Sequence, residues 1–193
     1  MEIKVKRNQS FINGTRIFLR EVRLTDVNET YYKWMNTPEI TQYLESRFFP
    51  QSIENISDFV KEQIENQRVV FLAICLNENE LHIGNIKLGP IDWVHRFAEV
   101  GIMIGDKASW GKGYGNEAIS LVKTYAFKTL NLHRLVANCY QVNQGAIKAF
   151  QKNGFEIEGV WKKHHFCNGK YTDAILLGIL NPIWNYSDEN EID

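Results

Sequence analysis

The stretch "SWGKGYGNEA", residues 109–118, places glycines at 111, 113 and 115 directly before a segment with helical periodicity. The first N–H groups of a helix have no partner within the helix, and the helix dipole adds partial positive charge there. Glycines let an anion approach the backbone closely, and Lys112 adds a full positive charge. The stretch therefore predicts either a phosphate-binding loop or a bare structural turn.

Two common phosphate motifs fail at this stretch. A dinucleotide fingerprint that began at Gly111 would need glycine at position 116, where the chain has Asn116. A P-loop would need Ser or Thr where Gly113 stands, and five residues rather than four separate Gly105 from Gly111. If the loop binds phosphate, it is of another kind.

The rest of the chain alternates between strand and helix patterns. Possible helix caps are Thr25 or Asp26 and Ser52, Gly154 follows the last helix, and "CNGK" (167–170) is typical of a hairpin turn. The order predicts one α/β (α+β) domain with a mixed sheet. Strands are expected at 15–22, 69–76, 80–91, 97–105, 134–140 and twice within 155–180, and helices at 24–36, 52–67, 115–130 and 143–154.

Composition favours one globular domain over residues 1–193, with a loose acidic tail from about 185. The net charge of -1 argues against nucleic acid and anionic membrane surfaces as partners. The start is polar, without a signal-peptide pattern, and the longest apolar run, 69–76, is too short for a bilayer. Three cysteines without a paired motif suit a reducing cytoplasm, and the histidines and cysteines lack metal-ligand spacing, so no metal is expected.

Several segments resemble the GNAT acetyltransferase superfamily. "WGKGYGNEAI" (110–119) resembles its acyl-CoA pyrophosphate loop, Gln/Arg-x-x-Gly-x-Gly/Ala, with Trp110 in place of Gln/Arg, and "NQGAIKAFQKNGF" (143–155) resembles its second cofactor motif. Segments 18–40, 82–91 and 168–180 resemble the branch of ribosomal-protein N-terminal acetyltransferases and nucleotide-amino-sugar N-acetyltransferases, in which Trp is frequent at that position. The resemblance covers about residues 15–181.

The resemblance implies a single-domain GNAT fold with six to seven strands and about four helices, and transfer of an acetyl group from acetyl-CoA to a primary amine. It places the cofactor at the end of strand 97–105, at the glycine loop and along the second motif. Asn143 is also interpretable as a helix N-cap. The implied cofactor residues are Ile102, Met103, Ile104, Trp110, Gly111, Lys112, Gly113, Tyr114, Gly115, Asn116, Asn143, Ala146, Phe150 and Lys152.

Glu99 is the candidate catalytic base, because a charge in an otherwise apolar strand is costly unless it is paired or functional. It lies eleven residues before Trp110, as does the base of the superfamily's histone-modifying branch. Desolvation would raise its pKa. The alternative is a buried glutamate with a structural partner: His82, Arg96 or His165.

Two further groups complete the implied chemistry. A backbone N–H of Met103 or Ile104 would polarise the thioester carbonyl, and Met103 is the first candidate. Many family members use a Tyr where this chain has Phe150 to protonate the departing thiolate. The donor is then Tyr171, Tyr140 or a water, or the thiolate leaves unassisted.

The acceptor pocket is expected from residues 31–49 and the last hairpin. Its candidates are Tyr31, Trp34, Tyr43, Arg47, His82 and His165, and Trp34 has helix core as its alternative. Arg47, Lys162 and Lys163 would make this side locally basic, which favours a nucleotide-linked amino sugar as acceptor. The alternatives are a peptide α-amine and a non-catalytic CoA-binding module. A homodimer is possible.

Overall fold

The structure of the protein, a computed structural model, describes residues 10–184, and the predicted acidic tail lies outside them. Over this range the chain forms eight strands and five α-helices. The strands are β1 Ile12–Asn13, β2 Ile17–Glu21, β3 Val70–Leu76, β4 His82–Leu88, β5 Phe97–Ile104, β6 Arg134–Tyr140, β7 Glu156–Cys167 and β8 Lys170–Leu180. The helices are α1 Glu29–Met35, α2 Pro38–Thr41, α3 Ile53–Glu65, α4 Tyr114–Lys128 and α5 Gln144–Lys152.

All eight strands belong to one sheet in the order β1-β2-β3-β4-β5-β6-β8-β7. Neighbouring strands are antiparallel except β5 and β6, which are parallel, so the predicted mixed sheet is confirmed. Within the described residues, the structure has one strand and one helix more than the sequence predicted. The additions are the two-residue β1 and the four-residue α2, both too short for a periodic pattern.

The sheet buries a different cluster on each face. On one face, α4 packs Ile119 and Val122 against Ala98 and Val100 of β5. On the other, the cluster includes Phe18, Tyr31, Trp34, Ile56 and Val60, contributed by β2, α1 and α3. Because side chains alternate along a strand, Glu99, Gly101 and Met103 point to the second face.

The first helix begins later than its sequence indicates. Asn28 is the N-cap of α1, and its Oδ1 accepts the N–H groups of Thr30 at 2.9 Å and Tyr31 at 3.2 Å. The expected cap Asp26 is engaged elsewhere: its carboxylate accepts two hydrogen bonds from the guanidinium of Arg20, each 2.7 Å. Residues 24–26 form a 3-10 turn instead.

We expect Asp26→Asn to lower the free energy of unfolding by about 3 kcal/mol, because it leaves the Arg20 charge unpaired in a nearly buried position. Burial raises the pKa of Asp26, but hydrogen bonds from Arg20 and the Arg23 N–H outweigh it and hold that pKa below its ordinary value. The pair's stabilisation is therefore present above the ordinary carboxyl pKa and is lost as pH falls through the lowered one.

Denaturant unfolding at pH 7 and pH 3 measures both effects. The matched control is Glu21→Gln, which breaks the exposed Arg23–Glu21 pair and should cost less than about 1 kcal/mol. Equal losses for Asp26→Asn and Glu21→Gln at pH 7 would contradict the prediction.

Candidate active site

A cleft opens where β5 and β6 separate. The two strands pair only over Phe97–Glu99 and Arg134–Val136, yet β5 continues to Ile104 and β6 to Tyr140. Glu99 is the last paired residue of β5 and therefore lies at the closed end of the cleft.

A cavity of about 550 Å³ occupies the open end. Its walls are the end of β5, the loop that precedes α4, the start of α5, and residues 39–44 of α2 and the segment after it. Twelve of the fourteen predicted cofactor residues line it: Ile102, Met103, Ile104, Trp110, Gly111, Gly113, Tyr114, Gly115, Asn116, Asn143, Ala146 and Lys152. The sequence thus indicated one continuous surface, and its occupancy by a cofactor stays a prediction.

The glycine loop has the backbone that its sequence requires. Gly111 and Gly113 adopt φ of 73° and 82°, the left-handed region that glycine enters without strain, and Gly113 is the N-cap of α4. Gly115 lies within the first turn of the helix, where an added Cβ would be 3.6 Å from the Ile102 Cδ1. The Trp110 Nε1 donates to the Ile104 carbonyl at 2.8 Å, which joins the loop to the end of β5.

Asn143 combines the two interpretations of its position. It is the N-cap of α5, where its Oδ1 accepts the Ala146 N–H at 3.2 Å, and it also lines the cavity. The neighbouring Asn116 accepts hydrogen bonds from the Asn153 Nδ2 on its backbone and side-chain oxygens, both 3.1 Å. These bonds tie the start of α4 to the end of α5, and both helices line the cavity.

The remaining two predicted cofactor residues are outside the cavity lining. Phe150 is buried in the core, where its ring packs edge-on against Phe155 with centroids 5.0 Å apart. Lys112 is exposed, and its carbonyl accepts a hydrogen bond from Arg16. The second motif does form a helix, as expected, but Phe150 lies on the buried face of that helix and not on the face that lines the cavity.

The register of β5 changes the assignment of the carbonyl-polarising N–H. The Gly89 N–H donates to the Glu99 carbonyl at 2.8 Å and the Gly105 N–H to the Ile83 carbonyl at 2.9 Å, so odd-numbered residues of β5 direct their backbone groups to β4. The N–H of Met103 therefore faces β4, opposite Asn85. The N–H of Ile104 faces the cleft instead.

Glu99 lies exposed on the second face of the sheet. Desolvation raises the pKa of its carboxyl, and the charge of Lys87 opposes that rise. The three residues considered as structural partners, His82, Arg96 and His165, each hydrogen-bond to another residue. Glu99 is not among the residues that line the cavity, so its role as the base stays a prediction.

Three of the predicted acceptor residues form a buried cluster instead. Trp34 packs edge-on against Tyr31 and His82, with ring centroids 5.8 Å and 5.1 Å apart, and it covers Gly105. Burial lowers the pKa of His82. These three side chains do not line the cavity, so the helix-core alternative describes Trp34.

The 3-10 turn at residues 45–48 forms a lid that is fastened to the sheet. The Arg47 guanidinium donates to the Tyr140 hydroxyl at 3.0 Å and to the Phe166 carbonyl at 2.5 Å. The same hydroxyl donates to the Glu45 Oε1 at 2.6 Å, and the His165 ring stacks on Tyr140 at 4.0 Å. Arg47 therefore holds the lid in place, and His165 packs on the tyrosine to which Arg47 bonds. Of the predicted acceptor residues, Tyr43 alone lines the cavity.

Four residues of this region were not among the candidates that the sequence indicated. Glu39, Ser109 and Lys148 line the cavity, and Arg16 bonds to the loop from the start of β2. Arg16 stands far from the loop in the chain, so local patterns contain nothing that pairs them. Lys148 had a weak signal, because it is one helical turn from Lys152 on the same helix.

A family model described as an acetyltransferase (GNAT) domain matches residues 16–156. The chain belongs to the GNAT superfamily. It is therefore an N-acetyltransferase that takes acetyl-CoA as co-substrate, as the glycine loop and second motif indicated. The narrower branch assignment stays open.

Named relatives of this GNAT protein include spermidine enzymes. It is 33% identical over 130 residues to the spermidine N(1)-acetyltransferase of Escherichia coli K12, and the alignment covers 67% of this chain and 68% of that one. It is 28% identical over 171 residues to the uncharacterized N-acetyltransferase p20 of Bacillus licheniformis, covering 86% and 93%. A solved Vibrio cholerae spermidine N-acetyltransferase, in complex with CoA and spermine, superposes with a TM-score of 0.78 at 25% identity, covering 86% and 96%.

Two further features bear on ligands and location. Among residues 10–184, His, Cys, Asp and Glu side chains form no group of three or more that would hold a metal ion. No helix in that range is long and apolar enough to cross a membrane.

Proposed function

We propose that this GNAT enzyme acetylates a primary amine of a small polycationic acceptor of the polyamine class. The observation that carries the proposal is the charge of the acceptor side. Glu39 lines the cavity, Glu45 lies on the lid beside Tyr140, and Glu99 lies on the strand at the closed end of the cleft. A second ammonium group would be attracted to these carboxylates.

The reaction needs a neutral amine and a polarised thioester carbonyl. Acetyl-CoA supplies the activated acetyl group when bound. Glu99 accepts the proton that the acceptor amine loses as it attacks, and desolvation raises the pKa of its carboxyl, which makes it a stronger base than an ordinary glutamate. The Ile104 N–H donates to the thioester carbonyl, whose oxygen gains negative charge during the attack.

Release of the thiolate does not involve Phe150, which is buried away from the cavity. Tyr140 already donates to Glu45, and Tyr171 is exposed on the hairpin. Tyr43 precedes the lid and lines the cavity, so its hydroxyl is the better placed donor. A thiol pKa near ~8.5 also lets the thiolate leave without full protonation.

A nucleotide-linked amino sugar is the acceptor that the basic residues of the sequence favoured, and a peptide α-amine is a further alternative. A sugar phosphate would need free cations on the acceptor side. Arg47 instead bonds to the lid and the sheet, and Lys162 pairs with Asp173 at 3.0 Å. These contacts favour the polyamine over the phosphate-bearing sugar.

A competition assay tests the acceptor class. With acetyl-CoA fixed, CoA release should be faster with spermidine than with a nucleotide-linked amino sugar or a Ser-starting peptide. Glu45→Gln removes the charge but keeps an oxygen for the Tyr140 hydroxyl, and we expect it to raise the KM for spermidine by about two- to fivefold, less at high salt.

The matched control is Glu62→Gln, an exposed glutamate of α3 outside the cavity lining, which should leave that KM unchanged. Faster turnover of the sugar or the peptide than of spermidine would overturn the acceptor proposal. It would leave the acetyl-CoA chemistry in place.

A further inference from the structure

Arg16 connects the start of β2 to the loop before α4. Its Nη1 donates to the Lys112 carbonyl at 2.7 Å, and its guanidinium lies over the Tyr114 ring, 5.0 Å from the centroid. A Cβ added to Gly113 would be 3.4 Å from the Arg16 Nη2, so the guanidinium packs against the bare side of this glycine. One side chain therefore contacts the last two residues of the loop and the first residue of α4.

Arg16 is itself held by a carboxylate of the helix that follows the loop. The Glu117 Oε1 accepts the Arg16 backbone N–H and its Oε2 accepts the Arg16 Nε, both at 2.9 Å. Burial raises the pKa of Glu117, but the hydrogen bonds from Arg16 outweigh it and lower that pKa, so Glu117 stays charged at neutral pH. This pairing leaves the Nη groups of Arg16 directed at the loop.

The contact with Lys112 also sets the direction of an N–H group. The Lys112 carbonyl and the Gly113 N–H belong to one planar trans peptide and point in opposite directions. Gly113 lines the cavity, whereas Arg16 and Lys112 do not, so a Lys112 carbonyl held by Arg16 leaves the Gly113 N–H on the side of the cavity. Gly111 and Gly113 both have positive φ, a conformation in which the chain has other accessible arrangements when nothing holds it.

We propose that Arg16 is a positioning residue for the cofactor: it fixes the peptide between Lys112 and Gly113 so that the Gly113 N–H is directed at the CoA pyrophosphate. The inference rests on the proposed placement of acetyl-CoA in this cavity. It assigns a function in cofactor binding to the residue that precedes β2. Arg16 acts on the cofactor through the loop, because its guanidinium forms an ion pair with Glu117.

Calorimetric titration with CoA tests the inference. Arg16→Ala should weaken CoA binding about tenfold, the loss expected when one hydrogen bond to a charged group is no longer preorganised. Arg16→Lys keeps the charge but lacks the fork that bonds to Glu117 and Lys112 together, so its affinity should fall in between. Arg23→Ala, which also removes an ion-paired arginine, is the matched control and should bind CoA as the wild type does.

Two further measurements separate positioning from general loss of structure. In steady-state kinetics, Arg16→Ala should raise the KM for acetyl-CoA and leave kcat at saturation within about twofold, because the reacting atoms are at the other end of the cofactor. In the ligand-free protein, the Gly113 amide should exchange its hydrogen faster in Arg16→Ala, and the amides of the sheet core should not.

The outcomes distinguish this inference from the one on which it rests. Wild-type affinity for CoA in Arg16→Ala would overturn the positioning role while the cofactor site stands. Loss of CoA binding in the Arg23→Ala control as well would also overturn it, because removal of either arginine would then act through general stability. Failure of the wild type to bind CoA would overturn the cofactor site and the inference together. If Arg16→Ala does not fold, Arg16→Lys decides by the same titration.

Discussion

Glu99→Gln should reduce kcat at pH 7 by roughly 100- to 10,000-fold while the affinity for acetyl-CoA stays the same, because the amide cannot accept the proton of the attacking amine. Steady-state kinetics at pH 7 measures kcat, and calorimetric titration with acetyl-CoA measures the affinity. The rate of the variant should recover partly as pH rises, since a growing fraction of the acceptor is then already neutral. Glu156→Gln, on the exposed β7, is the matched control and should keep wild-type turnover.

The pH profile adds a second signature. Desolvation raises the pKa of Glu99, so kcat/KM in the wild type should show an inflection above the ordinary glutamate range. The variant should lack that inflection, and its rate should follow the deprotonation of the acceptor amine alone. A carboxyl whose folded pKa is raised contributes stability below its unfolded pKa, and that contribution is lost as pH rises through the folded one. At pH 7 the variant should therefore have a Tm no lower than the wild type. Wild-type turnover in Glu99→Gln at pH 7 would place the base elsewhere.

The parts of the site that the sequence predicted are those that local chemistry determines. Gly113 and Gly154 have positive φ, and Ser52 caps α3 by accepting the Asn55 N–H at 3.1 Å. The hairpin turn has positive φ at Asn168 and Gly169. Each of these depends on two to four neighbouring residues, so the sequence contains the whole cause.

The predictions that changed depend on partners far away in the chain. Whether the Met103 N–H faces the cleft is decided by its register with Asn85 on β4, which the sequence of β5 does not contain. Arg47 was expected to be free for a phosphate, but its partners are Tyr140 and Phe166, more than ninety residues away. Phe150 was expected at the cofactor because of the family resemblance, but it lies with Ile147 on the buried apolar face of α5.

Tyr31, Trp34 and His82 show why aromatic residues were poor guides to the acceptor pocket. A large ring near a predicted site serves equally well as a wall of that site or as part of the core beneath it. Here α1 lies on the second face of the sheet, and its Trp34 packs on Gly105, which lacks a side chain and so admits the ring. Tyr31 and His82 pack edge-on against Trp34. These aromatic side chains pack beneath the residue that follows β5 and are part of the core, not of the acceptor pocket.

Gly113→Val should abolish most of the CoA affinity, by about 100-fold, the equivalent of losing one or two hydrogen bonds to a charged group. The residue has φ of 82°, which a β-branched side chain adopts only with strain, and its added atoms would meet the Arg16 guanidinium. To relieve the backbone strain and the contact with Arg16, the loop must rotate the peptide that carries the Gly113 N–H. Gly115→Ala should have a smaller effect, since its Cβ would make ordinary contact, 3.6 Å from the Ile102 Cδ1.

Gly169→Val is the control that separates backbone strain from cofactor binding. Gly169 has a similar φ of 76° and lies in the β7–β8 hairpin, outside the cavity lining. Both variants should lose stability by about 1–2 kcal/mol in thermal unfolding, because both force a left-handed φ on a side chain. Only Gly113→Val should lose CoA affinity by calorimetry. Equal affinities in the two variants would mean that the loop tolerates a side chain at 113 without moving, and the pyrophosphate would then have to bind at another part of the cleft.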